Sequence, residues 1–388
     1  MRSRKIGSIS RAEVHQWTLN WLLESRLLKD HGWLCTASVV WNIVLRAAAR
    51  LISVTAACRD LAHAPSDQAV FNALSDGLPK TRKVLERRLN EALTFQLPRR
   101  MRRRTWEIAI DFHLEPYYGE PSESKNELYY GEARQGTTTF HAYATACIIQ
   151  YGERYTVALT WVRRHEGTEV ALRRLIDRIR EIGLKIRRLL LDRGFFTTPV
   201  MAHLQQEEIH FLMPVMFRGR RAKNKRATGL HAIRRQKAGW YKHTLKNRKR
   251  EGVTFSVCVS YRTHRNRNGK RVQKKLLFAA WGVHGTPTAI REKYRLRFGI
   301  ETSYRQLRQA RIYTCTRDPH LRLVFIAVAL LLRNFWVWIH ATRLADGAGL
   351  SKTIRLERLR FKRMLDWIAQ AVGALLHDGS EPYVIFDP

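Results

Sequence analysis

Between residues 105 and 215 the apolar pattern changes period several times, and that alternation limits the chain's possible folds more than any other feature. Residues 106–112, Trp-Glu-Ile-Ala-Ile-Asp-Phe, read as a buried strand. Residues 138–150 and 154–163 are two further β-like runs, rich in Tyr, Val, Ile and Thr. The period then turns helical over 168–183, where Val170, Leu172, Leu175, Ile176 and Ile179 supply an apolar face. A strand over 186–192, a helix over 198–207 and a strand over 209–215 follow. Three strands followed by alternating helix and strand predict an α/β fold with a mixed sheet covered by helices.

The flanks differ in kind. Residues 8–100 read as all-helical. Ser10-Arg-Ala-Glu13 is a capping-box pattern that opens an amphipathic helix with Trp17, Leu19 and Trp21. Ser53 and Ser66 are placed to cap two short helices around His63-Ala-Pro. That pair reads either as an ordinary helical hairpin or as a helix-turn-helix. The run 98–104 carries Arg102, Arg103 and Arg104 and is either a solvated linker or an arm lying along phosphates. Residues 216–285 form a basic β insertion, with Lys223, Lys225, Arg234, Arg235, Arg248, Lys249 and Arg250 among its cations and β-like runs at 253–261 and 274–281. Trp240 and Trp281 interleave aromatics with this charge, either to stack an unpaired base or to fill the core. The apolar run 323–332 is too short to span a bilayer and stops at Arg333, so a buried core helix is expected. Residues 352–376 read as one more amphipathic helix. The expected divisions are 1–104, 105–215, 216–285, 286–345 and 346–388.

The 388 residues carry a net charge of +37, an excess that repels itself unless a polyanion is the partner. Nucleic acid is the leading choice, ahead of an anionic membrane surface or an acidic protein. The five cysteines form no CxxC pair, which argues against a zinc site and a disulfide framework and fits a reducing cytoplasm. The N-terminus is basic but leads into no apolar stretch, so no signal peptide is expected.

Three carboxylates stand out against this background. Asp111 lies in the first strand, Asp192 ends the fourth, and Glu301 lies on a helix after the insertion. On a helical period Tyr294, Arg297, Glu301, Arg305 and Arg308 share one stripe, with Glu301 its only acid. Each has a plain reading: a charged helix face, an Asp at a strand end, an Asp before the turn glycine Gly194. Taken together they suit another chemistry. Carboxylates in apolar strands cost free energy unless paired or bound to a cation. Oxygen donors without Cys or His select hard ions such as Mg²⁺ or Mn²⁺. Two such ions can activate water and stabilise the leaving oxygen of a phosphodiester.

At these residues the chain resembles the DDE transposases of the IS4-type superfamily, and most nearly the ISH3 group of insertion sequences. The resemblance rests on Asp111 in the first strand, on Asp192-Arg-Gly194 with Phe195 and Phe196 following, and on Tyr294, Arg297 and Glu301. Arg308 stands where the family has Lys. The resemblance spans roughly 105–340 and implies a ribonuclease H-like catalytic core after a helical DNA-binding region. It implies Asp111, Asp192 and Glu301 as ligands of two Mg²⁺ or Mn²⁺ ions. Tyr294, Arg297 and Arg308 would contact phosphates, with Arg305 beside them, and Trp240 or Trp281 would receive a flipped base. The partners implied are double-stranded transposon ends and target DNA, bound by a homodimer at the nucleoid in the cytoplasm. The expected function is cleavage at terminal inverted repeats and strand transfer. The alternatives are a DNA-binding regulator descended from a transposase and a host nuclease with the same core.

Overall fold

The computed structural model describes residues 9–122, 124–221, 226–247, 251–266, 268–347 and 353–377. Lys223, Lys225, Arg248, Lys249 and Arg250 of the basic insertion lie outside these residues, as do 1–8.

Five helices lead the chain: α1 (Arg11–Glu24), α2 (Ala37–Arg50), α3 (Val54–Arg59), α4 (Asp67–Gly77) and α5 (Arg82–Thr94). The Ser10 hydroxyl accepts from the Glu13 N–H, and the Glu13 carboxylate accepts from the Ser10 N–H, so the expected capping box forms. Ser53 and Ser66 cap α3 and α4. Helix α4 exposes Gln68, Asn72 and Asp76 and contains no Lys or Arg, a poor composition for lying against phosphates. The run before the sheet is a 3₁₀ turn, Arg99–Arg103, anchored by buried Met101, whose carbonyl accepts from Trp106 Nε1 at 2.7 Å. Within it Arg102 Nε donates to the Ile182 carbonyl at 3.1 Å, while Arg103 and Arg104 are exposed.

The sheet holds β1 (Thr105–Pro116), β2 (Tyr129–Arg134), β3 (Thr137–Ile148), β4 (Thr156–Val162), β5 (Lys185–Leu191), β6 (Phe211–Pro214), β7 (Gly239–Lys246), β8 (Gly252–Arg265) and β9 (Arg271–Trp281). Its order is β2-β3-β1-β5-β6-β9-β8-β7, with β4 beside β2 on the outer edge of β3. Strands β1, β5 and β6 run parallel, and β3 and β4 are antiparallel to their neighbours. This is the mixed ribonuclease H-like core. Helices α6 (Thr168–Glu181) and α7 (Thr198–Gln206) make the α-β crossovers. Helix α6 buries Ala171, Leu172, Leu175, Ile176 and Ile179; Val170, expected on that face, points to solvent.

Several expectations change. The stretch 113–137, between the first two expected strands, contains β2. The basic insertion adds β7, whose only buried side chain is Leu245, and a short helix α8 (Leu230–Ile233). Its strands join the core sheet, because β9 pairs with β6 from Phe211–Trp281 to Pro214–Phe278. The helix expected over 294–308 is divided into α9 (Pro287–Arg295), α10 (Phe298–Leu307) and a 3₁₀ turn at Arg308–Ala310. There Leu296, Arg297, Gly299 and Ile300 donate three residues back, which tightens the backbone between the two helices.

Helix α11 (Pro319–Thr342) is the expected apolar helix, and 94% of its most apolar window is buried inside the fold. It is long and apolar enough to cross a membrane by length and composition alone. Its aromatics join α1 edge-on, Trp338 to Trp17 at 6.0 Å and Phe335 to Trp21 at 5.8 Å. The last helix, α12 (Phe361–Leu376), packs on α1 and α2. It starts later than the expected 352, because the Leu359 carbonyl is taken by Trp336 Nε1 and the Arg358 guanidinium by Asp346 and the Leu344 carbonyl.

The outer edge of β4 is closed by side chains. Asn90 of α5 exchanges two hydrogen bonds with the Leu159 backbone, at 2.7 and 2.8 Å. Asn334 of α11 does the same with Thr156, at 2.8 and 2.7 Å, and also donates to the Leu93 carbonyl at 2.9 Å. Glu86 accepts from the Trp161 N–H at 3.0 Å. These groups imitate a neighbouring strand, so the edge offers no ladder to another chain.

Candidate active site

Alternation along β1 sends Ile108 and Ile110 toward α6 and α7, and Ala109, Asp111, His113 and Glu115 toward α9 and α10. Ile110 pairs with Leu191, so continuing that parallel register by one residue brings Asp192 alongside Asp111. Asp192 leaves the strand in extended conformation and opens the 3₁₀ turn Arg193–Phe195. Phe195 and Phe196 are buried, and Phe195 stacks on Phe112 at 5.2 Å. A Cβ on Gly194 would meet nothing within 4 Å, so the space beside Asp192 is open.

Helix α10 brings the third carboxylate to the same face. Arg297 Nη1 donates to Asp111 Oδ2 at 3.0 Å, and Arg297 Nη2 donates to Glu301 Oε1 at 2.7 Å. Glu301 therefore lies on the same side of the sheet as Asp111 and Asp192. The side chains of Arg297, Asp111 and Glu301 are 8%, 17% and 39% exposed, so the pocket opens at its Glu301 end. Burial pushes the Asp111 carboxyl up to about 6; Arg297 opposes that shift and Asp192 adds to it. Burial also disfavours charge on Arg297, but Tyr294, Asp111, Asp192 and Glu301 outweigh it and hold the guanidinium firmly protonated.

The other expected site residues are placed as follows. Tyr294 is buried and donates to the Leu191 carbonyl at 3.3 Å; Arg297 is engaged by carboxylates. In this arrangement neither is offered to a phosphate, because Tyr294 ties α9 to β5 and Arg297 ties β1 to α10. Arg305 and Arg308 are exposed. Trp240 Nε1 donates to the Gly285 carbonyl at 2.8 Å, and Trp281 stands edge-on to His210 at 5.7 Å. Both indoles are half-buried and pack against the core, so neither stands free as a base platform.

Tyr304 and Thr145 are the residues that sequence reasoning missed. The hydroxyl of half-buried Tyr304 donates to the Asp111 carbonyl at 3.1 Å and lies 2.7 Å from Thr145 Oγ1. Tyr304 thus pins α10 to β1 at Asp111 itself. Its signal was available: Tyr304 follows Glu301 by three residues, a spacing that shares a helix face as well as four does.

The donor set is hard oxygen throughout, as Mg²⁺ or Mn²⁺ requires. The paired aspartates, one of them reluctant to ionise in its buried place, fit a divalent cation chemically. Among the described residues no three potential ligands converge closely enough to hold an ion, because Arg297 stands between Asp111 and Glu301.

Residues 103–335 match the family described as the transposase DDE domain. No curated protein matches the chain. Among solved structures, the chain is similar to the piggyBac transposase synaptic complex with hairpin DNA, seen by cryo-electron microscopy. That match has a TM-score of 0.50 and 11% identity, and it covers 98% of this chain and 81% of that one. At such identity it shows a shared fold.

Proposed function

This chain belongs to the DDE transposase family and is by that membership a DNA transposase, and we propose that it binds the terminal inverted repeats of an insertion sequence of the IS4 type, ISH3-like, cleaves there and joins the ends to target DNA. The observation that carries this reading is the meeting of Asp111, Asp192 and Glu301, from three separate segments, on one face of the sheet around one guanidinium. Asp111, Asp192 and Glu301 are the residues to hold two divalent ions. Bound there, such ions would make water a nucleophile near neutral pH and stabilise the leaving oxygen.

The protein's own groups do the rest. Tyr304 and Thr145 fix the backbone at Asp111. Arg305 and Arg308, both exposed, are free to hold phosphates near the cut. The basic insertion extends that grip along the duplex, and the net charge of +37 draws DNA in at low salt. The reading includes double-stranded DNA ends and target as partners, a homodimer that pairs two ends, and action at the nucleoid in the cytoplasm.

The test is nicking of a plasmid carrying the element's ends, with Mg²⁺ or Mn²⁺. Asp111→Ala, Asp192→Ala and Glu301→Gln are each expected to lose cleavage while still shifting end DNA in a gel. Robust metal-dependent cutting by all three variants would defeat the assignment.

A further inference from the structure

The pocket already contains a cation, and it belongs to the chain. Arg297 spans Asp111 and Glu301 with its two terminal nitrogens, at 3.0 and 2.7 Å. Its Nε is buried without a partner, and its guanidinium carbon lies 5.7 Å from the ring centroids of both Tyr294 and Phe298. A planar fork of this kind holds two carboxylates at a fixed separation, one at each tip. A divalent ion held by the same two carboxylates would stand beside a fixed positive charge, so the two cations disfavour each other.

We propose that Arg297 is the resident cation of the metal-free enzyme, and that it releases Glu301 as divalent ions are taken up, so that metal loading and release of this arginine are one coupled step. The inference rests on the reading of Asp111, Asp192 and Glu301 as metal ligands. The direction of release follows from exposure: Asp111 is the more enclosed partner, while Glu301 and the neighbouring Phe298 ring face solvent. The nitrogen that faces Glu301 therefore turns outward past Phe298, toward solvent. A phosphodiester is the ligand that accepts it, because a guanidinium binds two phosphate oxygens as it binds two carboxylate oxygens. DNA and metal thereby favour one another: the backbone draws Arg297 off Glu301, and the vacated oxygens take the ions. Arg297 is on this account a positioning residue. It keeps the acids apart and neutralised until substrate is present.

The test is Mn²⁺ binding to the full chain, read from the free-ion signal in electron paramagnetic resonance, with and without a short duplex and corrected for the duplex alone. Wild type is expected to bind Mn²⁺ weakly by itself and about tenfold or more tightly with DNA, since removing one partner from a buried pair carries a large penalty that DNA offsets. Arg297→Gln is expected to bind Mn²⁺ about tenfold more tightly than wild type without DNA, and to gain little when DNA is added. A merely structural arginine would give the opposite result, weaker binding on substitution. Equal or weaker Mn²⁺ binding by folded Arg297→Gln overturns the proposal. If that variant does not fold, Arg297→Lys decides: a lysine engages one carboxylate at a time, so the DNA effect must shrink, and an unchanged effect overturns the proposal. Mn²⁺ binding that survives in wild type but is lost in Glu301→Gln upholds the three-acid site independently of Arg297. No Mn²⁺ binding by any form, with or without DNA, overturns both the coupling and the metal-site reading beneath it.

Discussion

Replacing Asn334 by Leu tests how the helical part of the molecule holds the catalytic sheet. Asn334 is fully buried, and its carboxamide makes three hydrogen bonds: to the Thr156 N–H, the Thr156 carbonyl and the Leu93 carbonyl. Leucine keeps the branching and the number of side-chain heavy atoms and leaves no cavity, so the change is chiefly one of polar satisfaction. Three backbone groups lose their partner where water does not reach. At about 1–2 kcal/mol for each orphaned group, the loss comes to roughly 3–6 kcal/mol. That is a large part of the 5–15 kcal/mol typical of a folded protein. Equilibrium urea unfolding followed by tryptophan fluorescence measures it, with Asn72→Ala on the exposed face of α4 as the control, expected within about 0.5 kcal/mol of wild type. Hydrogen exchange should show the Thr156 and Leu159 amides losing protection first. A loss under about 1 kcal/mol at unchanged m-value would refute the idea that this carboxamide stands in for a missing strand.

Asp111 makes a pH-dependent prediction. Its folded carboxyl is raised from 3.8 to about 6, so between those values the native state binds the extra proton and stability falls as pH rises. Asp111→Asn, which stays neutral, should match wild type near pH 4 and exceed it above pH 6 by on the order of 3 kcal/mol, as thermal melts across that range will record. An advantage independent of pH would contradict the assignment of burial as the cause. In the insertion, Arg234, Arg235 and Lys275 line a common cleft with Arg221 and His231. Changing those three cations to Gln should lower the slope of log affinity against log salt by about 0.9 for each phosphate no longer neutralised, and an unchanged slope would take this cleft off the DNA path.

Much of the core was legible in the sequence because its signals are local. The apolar run before Asp111 and the one ending at Asp192 could only be buried strands, and the β1–β5 register then brought the two acids together. Ser10, Ser53 and Ser66 cap where their spacing says they must. The bridge from Arg297 to Asp111 was not legible. Helical spacing puts Arg297 one turn from Glu301, but whether its other nitrogen reaches Asp111 depends on how α10 lies over β1. Strand β7 escaped notice because it is an edge strand with Lys242 and Lys246 exposed and little apolar alternation. The segment before α12 has a helical apolar spacing that loses to tertiary hydrogen bonds at Leu359 and Arg358.

Strand β9 continues the catalytic sheet without a gap, and this makes the cationic hairpin layer an outrigger where a flexible arm would have been the ordinary expectation for an insert of its length. Swinging it would mean tearing out the rungs between Phe211 and Trp281 and between Pro214 and Phe278. On the proposed reading, a helix of DNA resting on that layer would be gauged against the acids at a set span, much as a workpiece is set by a fence on a saw table. The place of the cut relative to the duplex would then be a property of strand geometry.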